Sequence, residues 1–283
     1  MEKNRVVTES MRLGRIFFNT GFYVLSLFFL FNAGCLLASW QPKISIITSI
    51  FKGDFFIAEF LHDITRQTVF ADCELILLNA NPPGIGHELD AILPYLVKYP
   101  QQIVYRQLAK DPGLYGVWNI GVRMARGKYL TNANLDDRLA PDCYAIHAQL
   151  LDQNPDVDLI YSSSYITRKP NETFEKNSWN GLIDYPEFTP QLIKKSNIPS
   201  FNPMWRKIIH YKYGFFEEKY KIAGDCEFWV RIVAGGAKFK KAPGIHGLFY
   251  YNKSGLSLDS SKLHIQKQEI KSIRKKYKHF FAS

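Results

Sequence analysis

The stretch GKYLTNANLDDRLAP, residues 127–141, carries two adjacent carboxylates, Asp136 and Asp137, where a strand-like run ends and before the turn residue Pro141. Acids at the end of a parallel strand are placed to hold a hard divalent cation, Mg2+ or Mn2+, which takes oxygen ligands and completes its shell with substrate phosphates. Asp is also a preferred turn and helix-cap residue, so the pair has a purely structural reading as well. A second acidic element, GDCEFWVR at 224–231, sets Asp225, Phe228 and Trp229 near one helical face and Glu227 on another. There the helix-cap reading again stands beside a functional one.

The elements that must position these groups are legible in the hydrophobic pattern. β-Branched or apolar runs at 44–50 and 74–78, and further runs at 103–106 and 128–133, predict strands. Helical spacing at 55–67, 88–98 and 115–125 alternates with them. Such alternation predicts an α/β fold with a mainly parallel central sheet, whose ligands gather at the carboxyl ends of the strands. Residues 168–203, rich in Asn, Pro, Ser and Lys, read as a long loop region of the kind that shapes substrate sites.

Four runs taken in order, PKISIITSIFKGDFF, QTVFADCELILLNANPPG, GLYGVWNIGVRMARGKYLTNANLDDRLAP and AGDCEFWVRIVAGG, resemble glycosyltransferase family 2, nucleotide-sugar enzymes of GT-A fold. The resemblance implies an inverting transfer of a sugar from a nucleotide-diphosphate sugar, with a UDP-sugar as donor, to a hydroxyl of a glycan or lipid-linked acceptor. Cell-surface polysaccharide synthesis is the implied setting. Thr48, Ser49 and Phe51 match the strand end that frames the nucleotide, Asn79 the carboxylate that usually contacts the base, and Asn119 the Asn of the helix before the metal strand. Asn134 replaces the first acid of the family's Asp-x-Asp-Asp stretch; Asp136 matches a ligand for metal and nucleotide-sugar, and Asp137 a second metal ligand. Asp225 matches the catalytic base that takes the acceptor proton. The segment around Trp205 matches the acceptor region; Trp205 and Trp229 are candidate acceptor contacts, each with a packing role as the alternative. His246, in the turn PGIHG, is read as structural. Asn79, Ala80 and Asn134 also leave room for a catalytically silent nucleotide- or carbohydrate-binding protein of the same fold.

Composition narrows the partners. With 46% hydrophobic, 15% aromatic and 22% charged residues among 283, the chain is neither disordered nor low-complexity. Its net charge of +10 invites a nucleic-acid reading, but residues 1–15 contribute +2 and residues 262–283 contribute +6, leaving +2 for the 246 between. No basic groove is required of the domain, so nucleic acid is not an expected partner. Residues 16–40 hold no charged side chain and no His, which predicts a transmembrane anchor, with a cleaved signal peptide as the alternative. The tail, KLHIQKQEIKSIRKKYKHFF, reads either as a basic amphipathic helix for anionic headgroups or as a helix packed on the domain. The expected plan is therefore a basic tail at 1–15, an anchor at 16–40, the GT-A domain at 42–256 and the basic helix at 257–283. Its expected setting is a single-pass membrane protein with its catalytic domain in the cytoplasm, or alternatively in a secretory lumen. Cys35, Cys73, Cys143 and Cys226 lie too far apart for a zinc motif or an evident disulfide framework.

Overall fold

In the computed structural model, which describes residues 40–199 and 201–282, residues from Pro42 onward form one compact unit. It opens with β1 (Ile44–Ile50), α1 (Ile57–Ile64), β2 (Cys73–Asn79), α2 (Glu88–Lys98), β3 (Ile103–Gln107), α3 (Leu114–Met124) and β4 (Tyr129–Asn132). The chain continues through β5 (Arg138–Leu139), α4 (Cys143–Gln153), β6 (Leu159–Thr167), β7 (Gly181–Ile183) and α5 (Pro190–Ile193). It closes with β8 (Met204–Arg206), α6 (Ile209–Tyr213), α7 (Gly224–Ala234), β9 (Phe239–Tyr250), α8 (Leu263–Lys276) and α9 (Lys278–Ala282).

One sheet runs in the order β3-β2-β1-β4-β8-β6-β9-β5, with β7 added beside β6. Strands β3, β2, β1 and β4 are parallel neighbours, as expected, but β8 is antiparallel to both β4 and β6, and β5 and β7 also pair antiparallel. The sheet is thus mixed, with its six longer strands running one way and its three shortest against them. Three of the antiparallel strands, β5, β7 and β8, are two or three residues long, too short for period-2 alternation to register in sequence. Because β6 and β9 run parallel to each other and β6 is antiparallel to β8, the ends of β1, β2, β4, β6 and β9 all face one edge.

Alternation of side chains places Ile44, Ile46, Ile50, Leu75 and Leu77 in one apolar core with α1 and α4, and Ile47, Ile76 and Leu78 in the other with α3 and α7. Both faces are covered, which is why β1 and β2 read as nearly continuous apolar runs. The entry to β4 is pinned by Glu74, only 1% exposed, which accepts from Ser45 Oγ at 2.6 Å and from Arg126 Nε at 2.8 Å. Gly127 fits here without a side chain: an added Cβ would lie 2.6 Å from Ser45 Oγ and 2.7 Å from the Ser45 backbone nitrogen. Gly127→Ala is expected to lower unfolding free energy by about 1–3 kcal/mol, the usual cost of overpacking, measured by denaturant titration. An unchanged midpoint would contradict this packing.

Among the described residues no helix is long and apolar enough to cross a membrane, so the single-pass membrane localisation expected from sequence is not supported. The charge-free stretch on which that expectation rested lies outside the described residues apart from Trp40. The tail takes the packing alternative: Ile273 is buried, and Ile270, Tyr277, Phe280 and Phe281 pack against the core that contains α7.

Candidate active site

At the edge where the strands end, β4 releases a loop whose acids diverge. Asp137 is buried; its Oδ1 accepts the Tyr250 backbone N–H at 3.1 Å and its Oδ2 accepts from Asn134 Nδ2 at 2.9 Å. Burial, then the charge of Asp136, push its carboxyl well above the ordinary range, against the pull of Asn134, the Tyr250 N–H and Arg138. Asp136 stays half-buried, with Oδ2 accepting from Asn252 Nδ2 at 3.0 Å. Tyr250 ends β9 and Asn252 lies just beyond it, 113 and 116 residues further along than Asp137 and Asp136. Asp137, expected as a second metal ligand, thus has both oxygens engaged in bracing the loop, and Asp136 is the less buried of the two acids.

The expected nucleotide contacts divide in the same way. Ser49 is half-buried, Phe51 is 48% exposed and Asn134 is exposed, so these three present groups at the edge. Thr48 is fully buried in β1. The Asn79 amide serves the strand end itself, donating to the Tyr105 hydroxyl at 3.1 Å and accepting the Asn81 N–H at 2.9 Å. Asn119 is enclosed: Nδ2 donates to Phe216 O and to Glu218 Oε1, each at 2.9 Å, while Oδ1 accepts the Phe216 N–H. Asn119 thus ties α3 to the loop before α7 and offers no free group to a donor. Beside Phe51, Glu88 on α2 gathers the loops after β1 and β2 by accepting from Gly53 N and Asn81 Nδ2. Neither Glu88 nor Asn81 carries a spacing that marks it in sequence.

The helix-cap position of α7 falls on Ala223, so Asp225 lies in the first turn rather than capping it. Its Oδ1 accepts from the Tyr115 hydroxyl at 2.9 Å and its Oδ2 from Asn197 Nδ2 at 2.8 Å. Burial raises its pKa, opposed chiefly by Asn197, the Cys226 N–H and Tyr115. Tyr115 opens α3, the helix entered from the carboxyl end of β3, so topology brings Asp225 to the same edge as Asn79 and Asp136. Sequence reasoning missed both partners, which sit 110 and 28 residues from Asp225.

Trp205 and Trp229, the candidate acceptor contacts, are each 1% exposed. They pack edge-on at 5.5 Å, and the Trp205 indole N–H donates to His210. Both belong to the core, the alternative already open for them, and neither turns a face to an acceptor. His246 has Nε2 on Pro243 O and its ring against His147, which agrees with a structural role.

Among the described residues no group of three or more His, Cys, Asp or Glu side chains could hold a metal ion. A complete protein cage for a cation is therefore absent from that part of the chain. The donor set still suits an oxygen-seeking divalent cation held by one carboxylate, that of Asp136, together with a substrate diphosphate and water.

The family described as Glycosyl transferase family 2 matches residues 45–226. The protein named "Uncharacterized glycosyltransferase MJ1057" of Methanocaldococcus jannaschii is 23% identical over 209 residues, covering 70% of this chain and 67% of that one. TarS 1-349 of S. aureus in complex with UDP-GlcNAc superposes with a TM-score of 0.60 at 15% identity, covering 77% of this chain and 61% of that one. The mannosyltransferase PcManGT from Pyrobaculum calidifontis, in complex with GDP-Man and Mn2+, gives 0.57 at 14% identity, covering 77% and 59%. At these identities the solved structures share the GT-A fold, and the chain spans only about 60% of their length.

Proposed function

On the premise that the chain belongs to glycosyl transferase family 2 and is a glycosyltransferase, we propose that it moves a sugar with inversion from a UDP-sugar to a hydroxyl of a glycan or lipid-linked acceptor, in cell-surface polysaccharide synthesis. The observation that carries this reading is Asp225: a carboxylate held by two neutral donors, Tyr115 and Asn197, in surroundings that raise its proton affinity. Such a group suits a base that accepts a proton from an attacking hydroxyl.

Ser49, Phe51 and Asn134 line the donor side of the edge, and Thr48 and Asn79 shape the strand ends behind them. Asp136 would hold a divalent cation with the diphosphate, and that cation, when bound, neutralises charge developing on the leaving group. Asp137 braces the loop that carries Asp136. The solution of UDP-GlcNAc with TarS, and of GDP-Man and Mn2+ with PcManGT, supports a nucleotide-sugar and a divalent cation as the partners to try first.

The test is transfer from a panel of UDP-sugars, with and without Mn2+, with product configuration read by NMR. Anomeric inversion is expected. A product that retains the donor's configuration would remove the single-displacement role assigned to Asp225.

A further inference from the structure

A contact from the far end of the chain reaches the helix that carries Asp225. Glu269, half-buried on α8, directs its carboxylate at the backbone just ahead of α7. Oε1 accepts the N–H of Lys221 at 2.7 Å, and Oε2 accepts those of Ile222 at 3.0 Å and Ala223 at 2.8 Å. N–H groups at a helix start lack intrahelical acceptors, so a carboxylate there forms strong charge-assisted bonds and favours the helix dipole.

The residue that follows, Gly224, leaves no slack: a Cβ on it would lie 2.7 Å from ring carbons of Tyr115. Tyr115 is also the residue whose hydroxyl bonds Asp225 and the Ile222 carbonyl. The turn 221–225 is thereby held from its backbone by Glu269 and from its side chain by Tyr115 and Asn197.

We propose that Glu269 is a positioning residue for sugar transfer, seating the 221–223 turn so that Asp225 meets the acceptor hydroxyl. The inference rests on Asp225 being the base. The remaining tail contacts do a different job. Tyr277 OH and Lys276 Nζ bond Glu227, a fully buried carboxylate in the first turn of α7 that also pairs with Arg231. They hold α8 to the domain through the Glu227 side chain, whereas Glu269 holds the backbone of residues 221–223.

The experiment compares Glu269→Ala, Glu269→Gln and Tyr277→Phe in the full chain, reading kcat, donor KM and the thermal midpoint. A displaced catalytic group costs on the order of 10- to 100-fold, so Glu269→Ala is expected to lower kcat by about that factor with donor KM in place. Glu269→Gln keeps an accepting oxygen without the charge and is expected to recover part of the loss. Tyr277→Phe is expected to lower the thermal midpoint and retain kcat.

Unchanged kcat in Glu269→Ala, or an equal fall of kcat in Tyr277→Phe, overturns the proposal. Should Glu269→Ala not fold, an unchanged kcat in Glu269→Gln overturns it equally. Asp225→Asn, assayed alongside, separates the two readings: full turnover in that variant removes Asp225 as the base. Inactive Asp225→Asn beside unaffected Glu269 variants removes only the positioning role.

Discussion

Asp225→Asn is expected to lower kcat by about a hundredfold to ten-thousandfold, the usual contribution of a positioned base, while leaving donor affinity and thermal midpoint near those of the parent. The substitution is nearly isosteric, and the site has the means to absorb it. Tyr115 can still donate to an amide oxygen, and the Asn197 carbonyl oxygen, buried and without a partner among the described residues, can take an amide N–H if that side chain turns over. Loss of turnover then reports chemistry rather than unfolding. The pH profile supplies the sign. A base works when ionised, so parent activity should fall as pH drops through the folded-state pKa, which burial places above the ordinary 3.8. That acid limb should vanish from the residual activity of the variant. Parent-like turnover in Asp225→Asn would end the assignment.

Asp136→Ala and Asp137→Ala should separate two adjacent carboxylates by what each loses. Removing Asp136 takes away a half-exposed group whose single described side-chain partner is Asn252, so the fold should persist. Metal-dependent donor binding and turnover should fall by about 10^2- to 10^3-fold, as when one preorganised electrostatic partner of a reacting group is lost. Removing Asp137 instead leaves the Tyr250 N–H and the Asn134 amide without their acceptor and opens a void, at a cost of about 1–3 kcal/mol in stability for the lost acceptor. Denaturant unfolding together with Mn2+-dependent thermal shift decides between them. A stable Asp137→Ala that no longer responds to Mn2+ would return Asp137 to the role of metal ligand.

The opening of the domain was largely legible because its signals are local. Runs such as ISIITSI and ELILL lie in strands whose two faces are both buried, so no polar alternation masks them, and α2 begins and ends where its spacing predicts. The second half was less so. MWR forms β8 only because β4 and β6 flank it, and nothing within three residues encodes that. Trp205 and Trp229 illustrate the same limit: an aromatic suited to stacking on a sugar is equally suited to a core, and burial alone decides. For the tail, an amphipathic stripe gave equal weight to a lipid surface and a protein one. Glu269, Lys276 and Tyr277, polar residues that find partners on or just before α7, settled it for the domain.

What the sequence by itself determined is the ordered set of motifs, the alternating elements from β1 to β4 and the acids Asp136, Asp137 and Asp225 as the groups to watch, because residue type and short-range periodicity are properties of neighbouring positions. Only the tertiary structure decided their division of labour. Asp136 stays half-buried and Asp137 is buried where the end of β9 brings Tyr250, and Asn252 just beyond it, against them. Asp225 acquires its raised proton affinity because burial, which lowers the stability of its charge, outweighs the donors Tyr115 and Asn197 brought from distant segments. Burial and hydrogen-bond partners depend on what the folded chain brings alongside a residue, and no spacing along the chain records that.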